Sequence, residues 1–289
     1  MSLSTELRGF LRLADETLRF NYQAGAVTPI ARPHGTGWRR CDGLAMAQCV
    51  NGYVCIQREG HPDVTTKKGE LFAILPNVHH SIELVSSGQA YSRWAHVNFF
   101  ILDSIDAISL FELPLVFTHP VANELGDIAE ELGAIRVAEN QGTLSLQHIF
   151  RRKALGFRML TIFADASALK PGALEKLAHA QRIAPALTLI HEHLADDLSR
   201  DALAARVHLS PSRFQTVFRE ATGLAPRNYV QRQRIGKAQQ LLATSELSVR
   251  EIAQRVGHPD AFHFSRIFTK VVGQNPTAYR AKAKQHGAM

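Results

Sequence analysis

The chain has 289 residues, enough for two domains and long for one. With 45% hydrophobic and 20% charged residues it has the make-up of a soluble globular protein, and no run of about 18 apolar residues offers a membrane-spanning helix. The net charge of +7 is unevenly placed: residues 181–289 carry 16 Lys and Arg against 8 Asp and Glu, whereas residues 1–180 carry 17 against 18. Positive charge gathered at one end points that end toward a polyanion such as nucleic acid.

Met1–Phe20 holds Glu6, Asp15 and Glu16 among its leucines, without a basic start, an apolar run or a small-residue cleavage site, so it does not read as a signal peptide. Cys41, Cys49 and Cys55 are odd in number and lack CxxC spacing, which suits a reducing compartment; the expected location is the cytoplasm. Up to about Leu102, short apolar runs alternate with turn signals such as Asn51-Gly52, Lys67-Lys68-Gly69 and Ser86-Ser87-Gly88, which predicts a series of β-strands. Val121, Leu125, Ile128, Leu132 and Ile135 then recur at steps of 4, 3, 4 and 3, one apolar stripe of a helix. A second helix is predicted over Leu144–Phe163, with a basic patch at Arg151-Arg152-Lys153. Asp165–Gly172 reads as linker, and from Arg182 on the pattern is of short helices. The expected architecture is therefore α+β in two domains: residues 1–164, a linker over 165–181, and an all-α domain over 182–289.

The last region contains an internal repeat. Leu203-Ala204, Val207, Ser210, Phe214, Phe218, Gly223, Pro226 and Tyr229 return as Ile252-Ala253, Val256, Asp260, Phe264, Phe268, Gly273, Pro276 and Tyr279. The offset is 49 residues at the first helix and 50 from Ser210/Asp260 onward, so the second turn is one residue longer. Each copy reads as helix, tight turn, helix. Ser199 is placed to cap the first helix, and Ser248-Val249-Arg250-Glu251 forms a capping box in the second copy, with Gly257 as the left-handed stop. Ser210 and Asp260 precede helices that turn Phe214/Phe218 and Phe264/Phe268 inward at i and i+4. The outward faces carry Ser212, Arg213, Gln215, Thr216 and Arg219 in the first copy, and Ala261, His263, Ser265 and Arg266 in the second. Arg, Gln, Ser and Thr on a short, aromatic-backed helix suit hydrogen bonding to base edges in the major groove. A helix over Asn228–Leu242 joins the copies, with Ile235, Ala238, Leu241 and Leu242 inward and Arg232, Arg234 and Lys237 directed to solvent or phosphate.

These residues resemble the DNA-binding domain of the AraC/XylS family of bacterial transcriptional regulators over roughly Arg182–Lys284, most specifically through Ile252-Ala253-x2-Val256-Gly257-x2-Asp260-x3-Phe264-Ser265-Arg266-x-Phe268 and Gly273-x2-Pro276-x2-Tyr279-Arg280. The resemblance implies recognition helices at Pro211–Glu220 and Ala261–Lys270. Base-reading positions would be Ser212, Gln215 and Thr216 in the first, and Ala261, Phe262, Ser265 and Arg266 in the second. Two adjacent major-groove segments about one helical turn (~34 Å) apart are the expected target. The chain departs from the family at His208, where glycine is usual, and at His258, where phenylalanine is usual; histidine tolerates the left-handed region, so the first turn is expected to survive.

The front half resembles, more weakly, the cupin-like sensor domain that precedes this DNA-binding domain in many family members, through Gly69–His80 and Trp94-Ala95-His96-Val97-Asn98-Phe99. Leu75 and Asn77 replace two motif residues, and the His-x-His motif of a metal centre is absent around Asn51–Glu70, so no metal and no cofactor are expected. Strand alternation separates His79 from His80, placing His80 inward with Ile82 and Leu84. Trp38, His80, Trp94 and His96 are the expected lining of an effector pocket. The effector could be a sugar, another small metabolite or none. The Val121–Phe163 helices either pack on the barrel or form a homodimer interface, the latter supported by the resemblance.

The reading as a whole is a ligand-controlled activator that binds double-stranded promoter DNA, with no enzymatic activity and with RNA polymerase admitted as a further partner. The alternatives are a metal-dependent cupin enzyme, which needs the missing histidine motif, and a DNA-repair protein, which needs a four-cysteine zinc site that three cysteines cannot supply. His191-Glu192-His193 is no zinc motif, because side chains at i and i+2 diverge on a helix.

Overall fold

The computed structural model describes residues 11, 12 and 14–287; the reading of the first residues as something other than a signal peptide falls largely outside them. Two compact units are present, one of Thr17–Ala173 and one that runs from Leu174 on.

Among the described residues, nine strands build the first unit: β1 (Arg19–Ala31), β2 (Leu44–Cys49), β3 (Val54–Arg58), β4 (His61–Thr65), β5 (Leu71–Ile74), β6 (His80–Leu84), β7 (Gln89–Ile101), β8 (Ile105–Asp106) and β9 (Val116–Phe117). All pairings are antiparallel, in one sheet ordered β1-β7-β2-β5-β9, with β8 beside β7, and a second ordered β4-β3-β6. Period-2 alternation explains the layering. Val54, Ile56, Ile82 and Leu84 of the small sheet pack against Ile30, Cys49, Phe72, Ile74 and Ala90 of the large one, while Glu83 points out. The result is the expected β-barrel-like sandwich. His34–Arg39 extends the small sheet along β6, through Thr36 N–H to the Ile82 carbonyl at 2.9 Å and paired bonds between Arg39 and His80 at 2.9 and 3.0 Å.

Two helices complete this unit. Helix α1 (Val121–Asn140) buries Leu125, Ile128, Leu132 and Ile135, the predicted stripe, against β1 and β7. Its approach is close: a Cβ on Gly126 would stand 2.2 Å from Gln48 Oε1. The Gln48 amide is itself held, donating to the Gly69 carbonyl at 2.7 Å and to Asn123 Oδ1 at 2.9 Å. Helix α2 (Leu146–Asp165) starts at a Ser145–His148 capping box and buries Met159, Ile162 and Phe163. The predicted basic patch is not a free cationic surface, since Arg151 pairs with Glu131 at 2.7 Å and Arg152 with Glu139 at 3.3 Å, both on α1.

The second unit is helical throughout: α3 (Ala173–Glu192), α4 (Arg200–Arg206), α5 (Pro211–Thr222), α6 (Pro226–Thr244), α7 (Val249–Arg255), α8 (Ala261–Val272) and α9 (Pro276–Gly287). Helix α3 corrects the linker expected over residues 165–181, because the chain is helical again from Ala173 and only Ala166–Gly172 connect α2 to it. Gly172 has φ +77°, and the turn it makes is what the sequence signalled; the Ala-Leu-Glu-Lys-Leu-Ala run after it is strongly helix-forming and buries Ala173 and Leu177.

Candidate nucleic-acid interface and ligand cavity

Each half of the repeat folds as its spacing predicts. Ser199 accepts from Ala202 N–H to start α4, and Ser210 accepts from Arg213 N–H to start α5. In the second copy Ser248 and Glu251 close the α7 capping box, while Asp260 accepts from the Phe262 and His263 N–H groups to start α8. The first turn is made by His208 at φ +53°, the second by Gly257 at φ +78°, so the family's glycine is replaced without loss of the left-handed bend. Both recognition helices run two residues beyond the predicted bounds and end on a left-handed glycine: Gly223 closes α5 and Gly273 closes α8.

Behind each recognition helix stands the same aromatic chain. Phe214–Phe218–Tyr229 have successive centroid distances of 5.3 and 5.3 Å, and Phe264–Phe268–Tyr279 have 5.7 and 5.7 Å. All four phenylalanines are fully buried. Ring-on-ring burial of this kind fixes the helix's rotation about its axis, and hence which residues face outward. Those residues are Ser212, Arg213, Gln215, Thr216 and Arg219 on α5, and Phe262, His263 and Arg266 on α8, all exposed; Ala261 and Ser265 are half-buried, with Ala261 packed on the second core. Phe262 is 87% exposed, a bare apolar ring beside the start of α8. Among the described residues no carboxylate pairs with Arg213, Arg219 or Arg266, so their charge is available to an external anion.

Helix α6 departs from expectation at one residue. Arg232 and Lys237 are exposed as predicted, but Arg234 turns inward. Its guanidinium donates to the carbonyls of Leu194 (3.0 Å), Asp196 (2.7 Å) and Gly257 (3.0 Å). One side chain thus ties the end of α3, the connecting helix and the second turn together. A fork of donors reading backbone carbonyls carries no sequence signature, which is why an arginine on a helix beside Arg232 and Lys237 reads as a surface charge. His258 occupies the family's phenylalanine slot as a core ring, buried at 5.6 Å from Phe264. Burial, with Arg234 and His263 nearby, holds its pKa below the ordinary value. His191 accepts or donates a hydrogen bond to the Tyr229 hydroxyl at 3.2 Å while His193 pairs with Asp196 at 3.0 Å, so the two histidines have separate structural partners.

The first unit encloses a cavity of about 290 Å³ between its two sheets. Alternate residues of β7 (Ser92, Trp94 and His96) line one wall, and the His34–Arg39 segment lines another through His34, Thr36 and Arg39. Met46, Val54, Phe72 and Ile82 supply apolar surface, and no Asp or Glu contributes. Trp94 Nε1 donates to Thr28 Oγ1 at 3.0 Å, which sets its indole, and its ring lies 5.3 Å from that of His96. Burial, with Arg39 and His80 adding like charge, pushes the His96 pKa down to about 4. Of the four predicted pocket residues, Trp94 and His96 therefore line the cavity. His80 is fully buried in the adjoining core, with Nδ1 at 2.8 Å from the Val78 carbonyl. Trp38 is a correction: it is 52% exposed and its ring lies tilted at 5.0 Å from the half-buried His79, next to a left-handed bend at Gly37 (φ +62°) where no strand alternation holds. Arg39, Thr36 and His34 went unnoticed in the sequence because they lie outside any strand-like pattern. Cys41, Cys49 and Cys55 are free thiols, and among the described residues no group of three or more His, Cys, Asp or Glu could hold a metal ion. No helix of the described residues is long and apolar enough to cross a membrane.

Two tandem helix-turn-helix units in one chain with a β-barrel unit are the arrangement of a DNA-binding regulator. Comparison with known proteins agrees. The family model of a helix-turn-helix domain matches residues 203–282. The MmsAB operon regulatory protein of Pseudomonas aeruginosa is 38% identical over 96 residues, 33% of this chain and 31% of that one. The arabinose operon regulatory protein of Escherichia coli K12 is 34% identical over 105 residues, 36% of each chain. The chain thus aligns with about a third of the length of these two. The HTH-type transcriptional activator RhaS of Escherichia coli O127:H6 is 37% identical over 259 residues, 86% of this chain and 82% of that one, and that of strain O6:H1 is 26% identical over the same length. The chain belongs to the AraC/XylS family of transcriptional regulators.

Proposed function

We propose that the protein is an effector-controlled, sequence-specific regulator of promoter activity, acting as an activator. One observation carries this reading: two recognition helices, each locked by the same buried aromatic chain, present different outward side chains to solvent. Gln215 and Arg266 are suited to bidentate contact with adenine and guanine, and Phe262 to a thymine methyl group. Arg213 and Arg219 supply phosphate contact, and with it the strong salt dependence of counterion release.

The cavity of the first unit is the effector site in this reading, with Trp94 and His96 among its contacts. A homodimer is part of the same proposal. The α1 stripe is spent on the barrel, but α2 leaves Leu146 and Phe150 exposed one turn apart, an apolar face that a second copy would cover. Doubling the reading heads would raise affinity through linkage of sites. RNA polymerase is the partner through which activation would act.

The test is to sequence sheared genomic DNA fragments retained by the full chain, with and without added metabolite extract. Enrichment of a few promoters sharing two distinct half-elements supports the reading; retention without sequence preference refutes it.

A further inference from the structure

Resting on the reading of the barrel cavity as an effector site, the chemistry of its wall narrows the ligand. The cavity is small, at the lower end of ligand pockets, which suits a molecule of about ten to fifteen non-hydrogen atoms. Most of its wall is aliphatic or aromatic. Its one permanent charge is Arg39, which the paired backbone bonds between Arg39 and His80 fix at the rim of β6. The Arg39 Nε is buried and finds no hydrogen-bond partner among the described residues, and none of their carboxylates pairs with its guanidinium. This is unlike Arg93, Arg152 and Arg158 of the same unit, each of which has a glutamate or aspartate partner. Its neighbour Arg40 likewise reaches Glu59, at 3.2 Å.

A partly buried guanidinium without a carboxylate partner, on the wall of an apolar cavity without acidic groups, lacks an anion. Around it stand neutral donors and acceptors: Thr36, Ser92 and the ring of His96. The depressed pKa of His96 reports the same field from the other side, since Arg39 is among the groups that hold its ring neutral. A sugar would meet these hydroxyls and imidazole but would leave Arg39 without a counter-charge.

We propose that the cavity takes a small organic carboxylate with an apolar body, its carboxylate on Arg39 and its hydrocarbon part against Met46, Val54, Phe72 and Ile82. Charge-assisted, bidentate pairing of guanidinium with carboxylate would then decide which metabolites act as effectors.

The test uses the full chain carrying Trp38→Phe, which leaves Trp94 as the reporter in the cavity wall. Trp94 emission is titrated with phenylacetate and hexanoate, with their amides phenylacetamide and hexanamide, and with xylose and rhamnose, each up to about 10 mM, which detects binding weaker than millimolar. The expected result is saturable change with the acids and at least about tenfold weaker response to the matching amides. Arg39→Gln should erase that difference, and Arg39→Lys should retain part of it. Equal response to acid and amide, or response to the sugars alone, overturns the carboxylate assignment and leaves the effector reading standing. Silence toward all six compounds overturns both. The acid–amide comparison needs no cavity variant, so it decides even if Arg39→Gln fails to fold.

Discussion

Replacing Arg234 by Met tests how the two reading heads are held together. The side chain keeps its length and its packing stem but loses three donors, at 3.0 and 2.7 Å from the Leu194 and Asp196 carbonyls just after α3 and at 3.0 Å from the Gly257 carbonyl in the second turn. A hydrogen bond to a charged group contributes about 1.5–3 kcal/mol, and the partial exposure of the guanidinium argues for the lower end. The loss is then about 4 kcal/mol, a large share of the ~5–15 kcal/mol typical of a domain. The two units can be followed separately. The chain's two tryptophans, Trp38 and Trp94, both lie in the first unit, whereas far-UV circular dichroism at 222 nm is dominated by the helices of the second. Arg234→Met should lower the dichroism midpoint by more than about 10 °C and leave the tryptophan midpoint in place. Arg234→Lys, which can reach one carbonyl at a time, should fall between. A Met variant that melts like the parent by dichroism would show that these bonds contribute nothing beyond what water supplies, and would remove the account of how the second turn is anchored.

Phe262→Ala should cost about tenfold in affinity for the selected promoter fragment by fluorescence anisotropy, with no change in melting temperature, since the ring is 87% exposed and packs on nothing. Gly126→Ala should destabilise the first unit by up to about 2 kcal/mol in urea followed by tryptophan emission. The overpacking against Gln48, which costs about 1–3 kcal/mol because its amide is held in place, is offset only in part by the ~1 kcal/mol that alanine returns in helix propensity. His96 should make the same unit acid-sensitive. Its pKa is about 4 when folded against about 6.5 when unfolded, so the unfolded chain binds the proton first as pH falls. Stability is then complete above pH 6.5 and declines by up to about 3 kcal/mol toward pH 4; His96→Gln should flatten that part of the urea-midpoint profile.

The second unit was legible in the sequence almost residue by residue, because each of its features has a local cause. A cap needs an oxygen at a fixed position, a left-handed turn needs glycine or a tolerant residue, and an inward pair recurs at i and i+4. Ser199, Ser210, Ser248 and Asp260 could therefore be assigned without knowing the fold. The repeat doubled every signal. Arg234 escaped because what it binds is backbone, distant in sequence by 38, 40 and 23 positions. The barrel was legible only as strands. Alternation separated His79 from His80 and put Trp94 on the same face as His96, but it offered nothing for Trp38 or Arg39, because a left-handed bend at Gly37 leaves no strand period to read there. The wall contributed by His34, Thr36 and Arg39 depends on backbone pairing with β6 some 46 residues away, as between Thr36 and Ile82, and strand pairing of that range is invisible to a local pattern. The start of α3 was missed for the opposite reason: Lys170-Pro171-Gly172 marked a break so clearly that the helix beginning directly after it was absorbed into the linker.

The central claim is that α5 and α8 read two different DNA segments at once. Hydroxyl-radical footprinting of the full chain on a selected promoter fragment tests it most directly, together with the Gln215→Ala and Arg266→Ala variants. Two protected patches on one face, about ten base pairs (~34 Å) apart, are expected, with each variant weakening one patch and relaxing base preference only there. A single patch, or the same change at both positions from either variant, would contradict the two-helix account.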